Sequence, residues 1–97
     1  MHARVIFTHV EADKEDAAIQ LYRESVVPAA QQQPGFKGLL QLVDRSSGKG
    51  ISITLWETEA DMLAGESSGY YQEQLTKFRH LLATTPVREV YEVSAKV

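Results

Sequence analysis

The histidine, tryptophan and tyrosine side chains are the groups in this sequence that can act on a small organic molecule. His9 lies near the end of an apolar run, and an imidazole with an ordinary pKa of about 6.5 can serve as a general base. Trp56 can stack on a flat ligand, while Tyr22 and Tyr71 can donate hydrogen bonds from their hydroxyls. These types together indicate a site for an aromatic or carbonyl compound. The predicted lining also includes Phe7 and Phe78.

Each of these side chains also has a purely structural interpretation. A histidine at a strand end commonly hydrogen-bonds to backbone, and a single tryptophan that ends a buried strand commonly packs in the core. The tyrosines are equally explained as core or rim residues. Tyr70 should sit at a helix start or at the rim, because neighbouring helical residues point about 100° apart. Both interpretations stay open at this point.

The sequence contains no pattern that is typical of a metal site or a nucleotide site. It contains no cysteine, and the three histidines lack the i, i+4 spacing of a helical metal site. The glycines in Gly48-Lys49-Gly50 lie between two predicted strands and do not open a helix, so they do not predict a phosphate loop. We therefore predict that the protein needs neither a metal nor a flavin nor any other cofactor.

The composition limits the classes of protein to which this chain can belong. The 97 residues predict a single domain, residues 1–97, with 43% hydrophobic and 24% charged residues. A net charge of −3 with interspersed basic residues argues against nucleic acid and anionic membranes as partners. No apolar run approaches the roughly 18 residues of a membrane span, and the N-terminus lacks a signal-peptide core. The expected location is the cytoplasm.

The first half of the chain predicts a strand and then an interrupted helix. Val5 to Val10 is rich in β-branched and aromatic residues, which favour a strand. Asp13 is the predicted N-cap of the helix that follows, and Pro28 should kink this helix near Ser25 because its ring clashes with the preceding turn. Pro34-Gly35 should end it.

The centre of the chain predicts a β-hairpin. Its strands are Phe36 to Val43 and Ile51 to Trp56, joined by a turn at residues 44–50. Neither strand alternates cleanly between apolar and polar residues, so both faces of the hairpin are expected to be buried.

After the hairpin, the sequence predicts a second helical region and a last strand. Thr58 begins a capping box, and the stretch from Gly65 to Gly69 should divide the helix in two. Val87 to Val97 alternates for eleven residues and would span roughly 36 Å at about 3.3 Å per residue, more than the first strand can pair with.

The resulting order predicts an α+β, ferredoxin-like fold. Strands and helices follow each other as βαββαβ, which gives a four-stranded antiparallel sheet with two helices on one face. The other face would be left bare, and the hairpin is too apolar to remain in water. A second copy of the chain is the simplest cover, and the surplus of the last strand could pair with it. We predict a homodimer.

The sequence resembles the antibiotic biosynthesis monooxygenase-like domain. The resemblance runs from Val5 to Val93 and rests on Pro34-Gly35-Phe36 after a Pro-containing helix and on a hairpin that closes with Leu55-Trp56-Glu57. It implies a dimeric α+β barrel whose two sheets pack face to face, with a pocket between sheet and helices. Some members oxygenate aromatic compounds without metal or flavin, because the electron-rich substrate itself supplies electrons to dioxygen.

The chain departs from the family's characterised sites because it contains no asparagine. Asparagine belongs to the catalytic sets of the quinone-forming and the haem-degrading members, so no catalytic residue is carried over from the haem-degrading type. Two functions remain. The first is a cofactor-independent monooxygenase-like enzyme, with His9 as the base, for a small aromatic or carbonyl compound. The second is a non-enzymatic, ligand-binding or stress-related dimeric domain. Haem degradation and isomerisation are less favoured.

Overall fold

The computed structural model describes all 97 residues and contains four strands and two interrupted helical regions. The first helical region consists of two α-helices separated by a π-helical turn, and the second consists of two α-helices and a short 3₁₀ turn. The elements in chain order are β1 (His2–His9), α1 (Glu15–Leu21), the π turn (Tyr22–Val26), α2 (Val27–Gln31), β2 (Phe36–Asp44), β3 (Lys49–Trp56), α3 (Glu59–Ser67), α4 (Tyr70–Phe78), the 3₁₀ turn (Arg79–Leu81) and β4 (Val87–Glu92).

The four strands form one antiparallel sheet in the order β2-β3-β1-β4. The two central strands are β3 and β1, paired from His2 opposite Trp56 to His9 opposite Lys49. This order and the helical crossovers confirm the predicted ferredoxin-like α+β fold. No helix in the structure is both long and apolar enough to cross a membrane.

The strands present alternating side chains to two different environments. Arg4 and Ile6 of β1 point to the side that the helices cover and are buried, whereas Phe7 points to the opposite side and is exposed. The outer side of β2 carries Leu40, which is 56% exposed. The expectation that both faces of the hairpin are buried therefore does not hold in the single chain, because all helices lie on one face.

The first helical region begins and bends for reasons that the sequence predicted only in part. Asp13 is not the N-cap: it takes a left-handed conformation with φ of 67°, and Lys14 occupies the cap position without a side-chain hydrogen bond. The turn before α1 uses the tolerance of aspartate for this conformation instead of its carboxylate. The predicted disturbance before Pro28 is present as the π turn Tyr22–Val26, since proline in a helix clashes with the carbonyl four residues earlier.

The second helical region follows the prediction closely. The hydroxyl of Thr58 accepts a hydrogen bond from the backbone N–H of Asp61, which caps α3. The break before α4 falls at Gly69, which has φ of 92°. The Pro34-Gly35 turn packs against the start of α3, and a Cβ on Gly35 would lie within 2.6 Å of the Asp61 side chain. Only glycine fits this close approach.

The first and last strands differ in length from the prediction. β1 starts at His2, three residues earlier than expected, and β4 ends at Glu92 instead of Val97. β4 ends at Glu92 because Glu92 pairs with His2, which is the first residue of the neighbouring strand β1. One further backbone hydrogen bond joins Val93 N to Met1 O at 2.9 Å, and residues 94–97 continue without a partner strand in the chain.

Candidate functional site

A cavity of about 110 Å³ lies between the helix-covered face of the sheet and the two helical regions. A volume of roughly 10–15 Å³ holds one water molecule, so this space is large enough for a small organic molecule such as a single aromatic ring. Apolar side chains form most of its wall. The polar side chains around it are Arg4, Thr8, Glu15, Tyr22, Gln41, Asp44, Lys49, Ser52, Thr54, Tyr70, Tyr71 and Gln74.

Arg4 is the charged side chain at the inner end of this cavity. It is only 2% exposed, and its guanidinium lies 4.3 Å from the centre of the Tyr71 ring and 5.3 Å from that of Trp56. Its Nη1 donates hydrogen bonds to the backbone oxygen of Met62 and to Oε2 of Glu66, at 3.4 and 3.3 Å. Aromatic faces and hydrogen-bond acceptors together make the burial of this cation tolerable.

Glu66 connects Arg4 to a second arginine. The same Oε2 atom that faces Arg4 accepts a hydrogen bond from Nη2 of Arg88 on β4, at 2.8 Å. Arg88 is more exposed than Arg4, with 35% of its side chain accessible. The hydrogen bond to Glu66 raises the pKa of Arg88 above its usual range. α3 is thereby tied to the two strands β1 and β4.

Tyr22 brings a phenol from the π turn to the sheet. Its hydroxyl lies 2.8 Å from Oγ of Ser52 on β3, and its side chain is buried. Burial raises the pKa of Tyr22, although the hydrogen bond with Ser52 and the charge of Arg4 act in the opposite direction. The phenol therefore keeps its proton at neutral pH.

Tyr70 and Tyr71 both line the cavity from the first turn of α4. Burial raises the pKa of each phenol, and the positive charge of Arg4 opposes this effect. The three cavity tyrosines are thus neutral hydroxyls that can donate hydrogen bonds, and they are not bases at neutral pH. Tyr70 is half-buried at the start of its helix, where the sequence placed it.

Three of the predicted site residues meet at the cavity. Tyr22 reaches it from the first helical region, and Tyr71 and Phe78 reach it from α4. The step of seven residues between Tyr71 and Phe78 places them on one face of a helix, which is why the sequence pattern grouped them correctly.

The other three predicted residues lie elsewhere. Phe7 is on the outer face of the sheet and is 37% exposed. Trp56 is completely buried behind Arg4, with its ring edge-to-face against Phe36 at 5.8 Å and its Nε1–H donating to Thr54 Oγ1 at 2.9 Å. It packs the core and does not line the cavity.

His9 does not face the cavity in this structure. It shares the outer side of β1 with Phe7, and its Nε2–H donates a 2.9 Å hydrogen bond to the backbone oxygen of Ser47 in the hairpin turn. A general base must come within hydrogen-bond reach of the proton that it removes. We therefore do not retain His9 as the base of the cavity. Its hydrogen bond to Ser47 has a structural role.

Arg4 is absent from the predicted site, although the sequence carries a signal for it. Arg4 interrupts an apolar strand and alternates with Val5 and Phe7, so it had to lie on the face opposite to theirs. A charged residue in the middle of a strand that is covered by helices is unusual unless it is paired. No group of three or more His, Asp or Glu side chains lies close enough together to hold a metal ion.

Comparison with known proteins identifies the family. The sequence profile described as antibiotic biosynthesis monooxygenase matches residues 1–77, which includes every residue of α4 except the last. The chain belongs to this family. The match confirms the resemblance that the Pro-Gly-Phe turn and the Leu-Trp-Glu hairpin end indicated.

Solved structures of similar fold include a protein with a described activity and a protein without one. SnoaB from Streptomyces nogalater, described as a cofactor-independent oxygenase, has a TM-score of 0.81 and 14% sequence identity over 99% of this chain and 95% of its own. A protein of unknown function from Nitrosomonas europaea has a TM-score of 0.81 and 19% identity over 99% of this chain and 91% of its own. At these identities the similarity shows a shared fold.

Two curated relatives from Mycobacterium tuberculosis, one in strain CDC 1551 / Oshkosh and one in strain H37Rv, are described as uncharacterized proteins. Each is 32% identical over 99 residues, which covers 98% of this chain and 42% of the relative. The chain therefore spans about two fifths of the length of these relatives.

Proposed function

We propose that this protein is a monooxygenase-like enzyme that uses neither metal nor flavin and acts on a small aromatic or carbonyl compound in the cavity. The observation that carries the proposal is a largely apolar cavity in which neutral phenols and one buried guanidinium converge. Membership in the monooxygenase family and a fold shared with SnoaB support it.

The chemistry that such a site can support is oxidation of an electron-rich substrate by dioxygen. The substrate supplies the electrons, one oxygen atom enters the product, and the other leaves as water. The protein's part is to exclude bulk water and to stabilise negative charge on the substrate oxygen. The hydroxyls of Tyr22 and Tyr71 can donate to that oxygen because burial keeps them protonated.

Oxygen uptake tests this proposal directly. The purified protein is dialysed against a chelator, and oxygen consumption is then followed with naphthols and dihydroxybenzenes, with the protein-free rate subtracted. We expect uptake that does not depend on added metal or flavin. Tyr22→Phe and Tyr71→Phe should each lower the rate, and losing one donor to an oxyanion typically costs on the order of 10²-fold.

The result also separates the proposal from its main alternative. Binding of these compounds without oxygen uptake would indicate a ligand-binding domain that keeps the fold without the chemistry. Uptake that appears only with an added metal or flavin would refute the cofactor-free mechanism. Tyr91→Phe is a suitable control, because Tyr91 lies on the outer side of β4, is 51% exposed and does not line the cavity.

We also propose that the outer face of the sheet pairs with a second copy of the chain. Leu40 and Val87, at opposite edges of this face, are 56% and 54% exposed, and Phe7 lies between them. Apolar side chains spread across a whole sheet face are costly to leave in water. Residues 94–97 extend past the last paired position of β4 and are free to reach the partner.

A further inference from the structure

Two arginines and one carboxylate form a charge cluster, of which Arg4 is the member that lines the cavity. Arg4 and Arg88 both contact the same oxygen of Glu66, so the cluster carries one positive charge in excess. The carboxylates on the cavity wall belong to Glu15 and Asp44, near the end of β1 and β2 that is opposite to Arg4, and Glu66 is not part of the wall. Arg4 forms no salt bridge other than the one with Glu66.

The hydrogen-bond distances show which arginine is the main partner of Glu66. Arg88 donates to Oε2 at 2.8 Å, the normal length for a charge-assisted hydrogen bond, whereas Arg4 lies 3.3 Å from the same atom. Glu66 is therefore principally the partner of Arg88. The excess positive charge resides on Arg4, which is the more deeply buried of the two.

The guanidinium of Arg4 also has donors to spare. The hydrogen bonds from Nη1 go to Met62 and Glu66, and a further side-chain hydrogen bond joins Arg4 to Tyr70. A guanidinium carries five N–H donors, so donors remain for a ligand in the cavity, which Arg4 and Tyr70 both line.

We propose that Arg4 is the anion-binding residue of the cavity and that the natural ligand is a flat compound carrying one ionised oxygen, as a phenolate, enolate or carboxylate. This inference rests on the proposed function and specifies its substrate class. A buried cation that is only partly paired is stabilised by a ligand anion, and a guanidinium offers two parallel donors to it. The neutral tyrosines nearby cannot supply that charge, because burial raises their pKa.

Binding of 4-nitrophenol tests the inference without any turnover. This compound ionises near neutral pH, and its yellow anion is measured by absorbance. If Arg4 binds the anion, adding excess protein should lower the apparent pKa of the ligand by about one unit, which corresponds to tenfold tighter binding of the anion than of the neutral phenol. An unchanged or raised ligand pKa would overturn the inference.

Two variants should act in opposite directions. Arg4→Gln should abolish the preference for the anion, whereas Glu66→Gln should increase the affinity for 4-nitrophenolate several-fold, because it removes the competing carboxylate. A merely structural role for the cluster predicts no gain from Glu66→Gln. Arg79→Gln is the matched control, since Arg79 is exposed and lies outside the cavity. If Arg4→Gln fails to fold, the Glu66→Gln result alone decides, and an unchanged affinity contradicts the inference.

Further ligands identify the kind of anion and keep this test apart from the test of oxygenase activity. 4-Nitroanisole lacks an ionisable oxygen and should bind at least tenfold more weakly than 4-nitrophenolate by calorimetry, and equal binding would contradict the role of Arg4. Benzoate compares a carboxylate with the phenolate, and the tighter ligand names the source of the charge. Anion binding without oxygen uptake would leave this inference standing and refute the oxygenase. Oxygen uptake without a preference for the anion would support the oxygenase and refute this inference.

Discussion

The guanidinium of Arg4 lies 4.3 Å from the centre of the Tyr71 ring, which places a buried cation of β1 directly against the first turn of α4. This contact joins the sheet to the second helical region at the inner end of the cavity. A cation over a desolvated aromatic face contributes about 2 kcal/mol, compared with about 0.5–1 kcal/mol at an exposed site. The same contact thus stabilises the fold and fixes the position of the charge in the site.

Replacing the Tyr71 ring should destabilise the protein more than removing its hydroxyl. We expect Tyr71→Leu to lower the free energy of unfolding by about 2–4 kcal/mol, because it removes both packing and the cation–π contact with Arg4. Tyr71→Phe keeps the ring and should cost less than about 1.5 kcal/mol. Urea denaturation of both variants measures the difference, and equal losses would show that the ring face over Arg4 contributes nothing.

The hydrogen bond between Tyr22 and Ser52 should appear as a coupling energy. Tyr22→Phe, Ser52→Ala and the double variant form a thermodynamic cycle for two hydroxyls that lie 2.8 Å apart. We expect each single change to cost about 1 kcal/mol and the coupling to be about 0.5–1.5 kcal/mol. A coupling near zero would mean that the π turn is held against β3 by packing alone.

The sequence predicted the elements of this fold better than it predicted the site. Hydrophobic periodicity and turn residues located every strand and helix. Both are local signals, and the Thr58 cap and the Pro34-Gly35 turn are examples. Which side of β1 faces the helices is set by the packing of distant elements, and the sequence alone did not decide it. His9 was predicted to lie on the cavity side of β1. Arg4 lies on the opposite face, because side chains alternate along a strand, and it was given no role.

High pH should weaken the fold through the cavity tyrosines. The pKa values of Tyr22, Tyr70 and Tyr71 are raised in the folded state, so the folded protein holds these protons more tightly than the unfolded chain does. Their contribution is fully present below the unfolded pKa of about 10 and is lost as the pH rises further. The free energy of unfolding should therefore fall steadily above pH of about 10.

Urea denaturation across this pH range, together with the tyrosinate absorbance, measures the effect of alkali. In Tyr22→Phe one of the raised groups is absent, so the fall with pH should be less steep than in the unchanged protein. Identical slopes would show that Tyr22 ionises equally in the folded and unfolded states.

A charge on the outer sheet face should separate the proposed dimer. Leu40→Lys places an ammonium group on the apolar face, and desolvating an unpaired charge in an interface is strongly unfavourable. We expect light scattering to report twice the 10.8 kDa chain mass for the unchanged protein and the single mass for the variant.

Leu63→Lys provides the control for the dimer experiment, because Leu63 is 45% exposed on α3, on the opposite side of the sheet. It should leave the mass of the assembly unchanged. A single-chain mass for the unchanged protein at micromolar concentration would refute the dimer. Dissociation by both variants would show that the effect does not come from this face.

Substitution of His9 should change stability and leave the cavity unaffected. His9 Nε2 donates to the Ser47 carbonyl oxygen at 2.9 Å, which holds the end of β1 to the hairpin turn. We expect His9→Ala to lower the free energy of unfolding by about 1 kcal/mol, the usual net value of such a hydrogen bond. The 4-nitrophenolate affinity and the rate of oxygen uptake per folded molecule should stay the same. A general base contributes roughly 10²–10⁴-fold, so a loss of that size would return His9 to the catalytic role and require the cavity to open toward it.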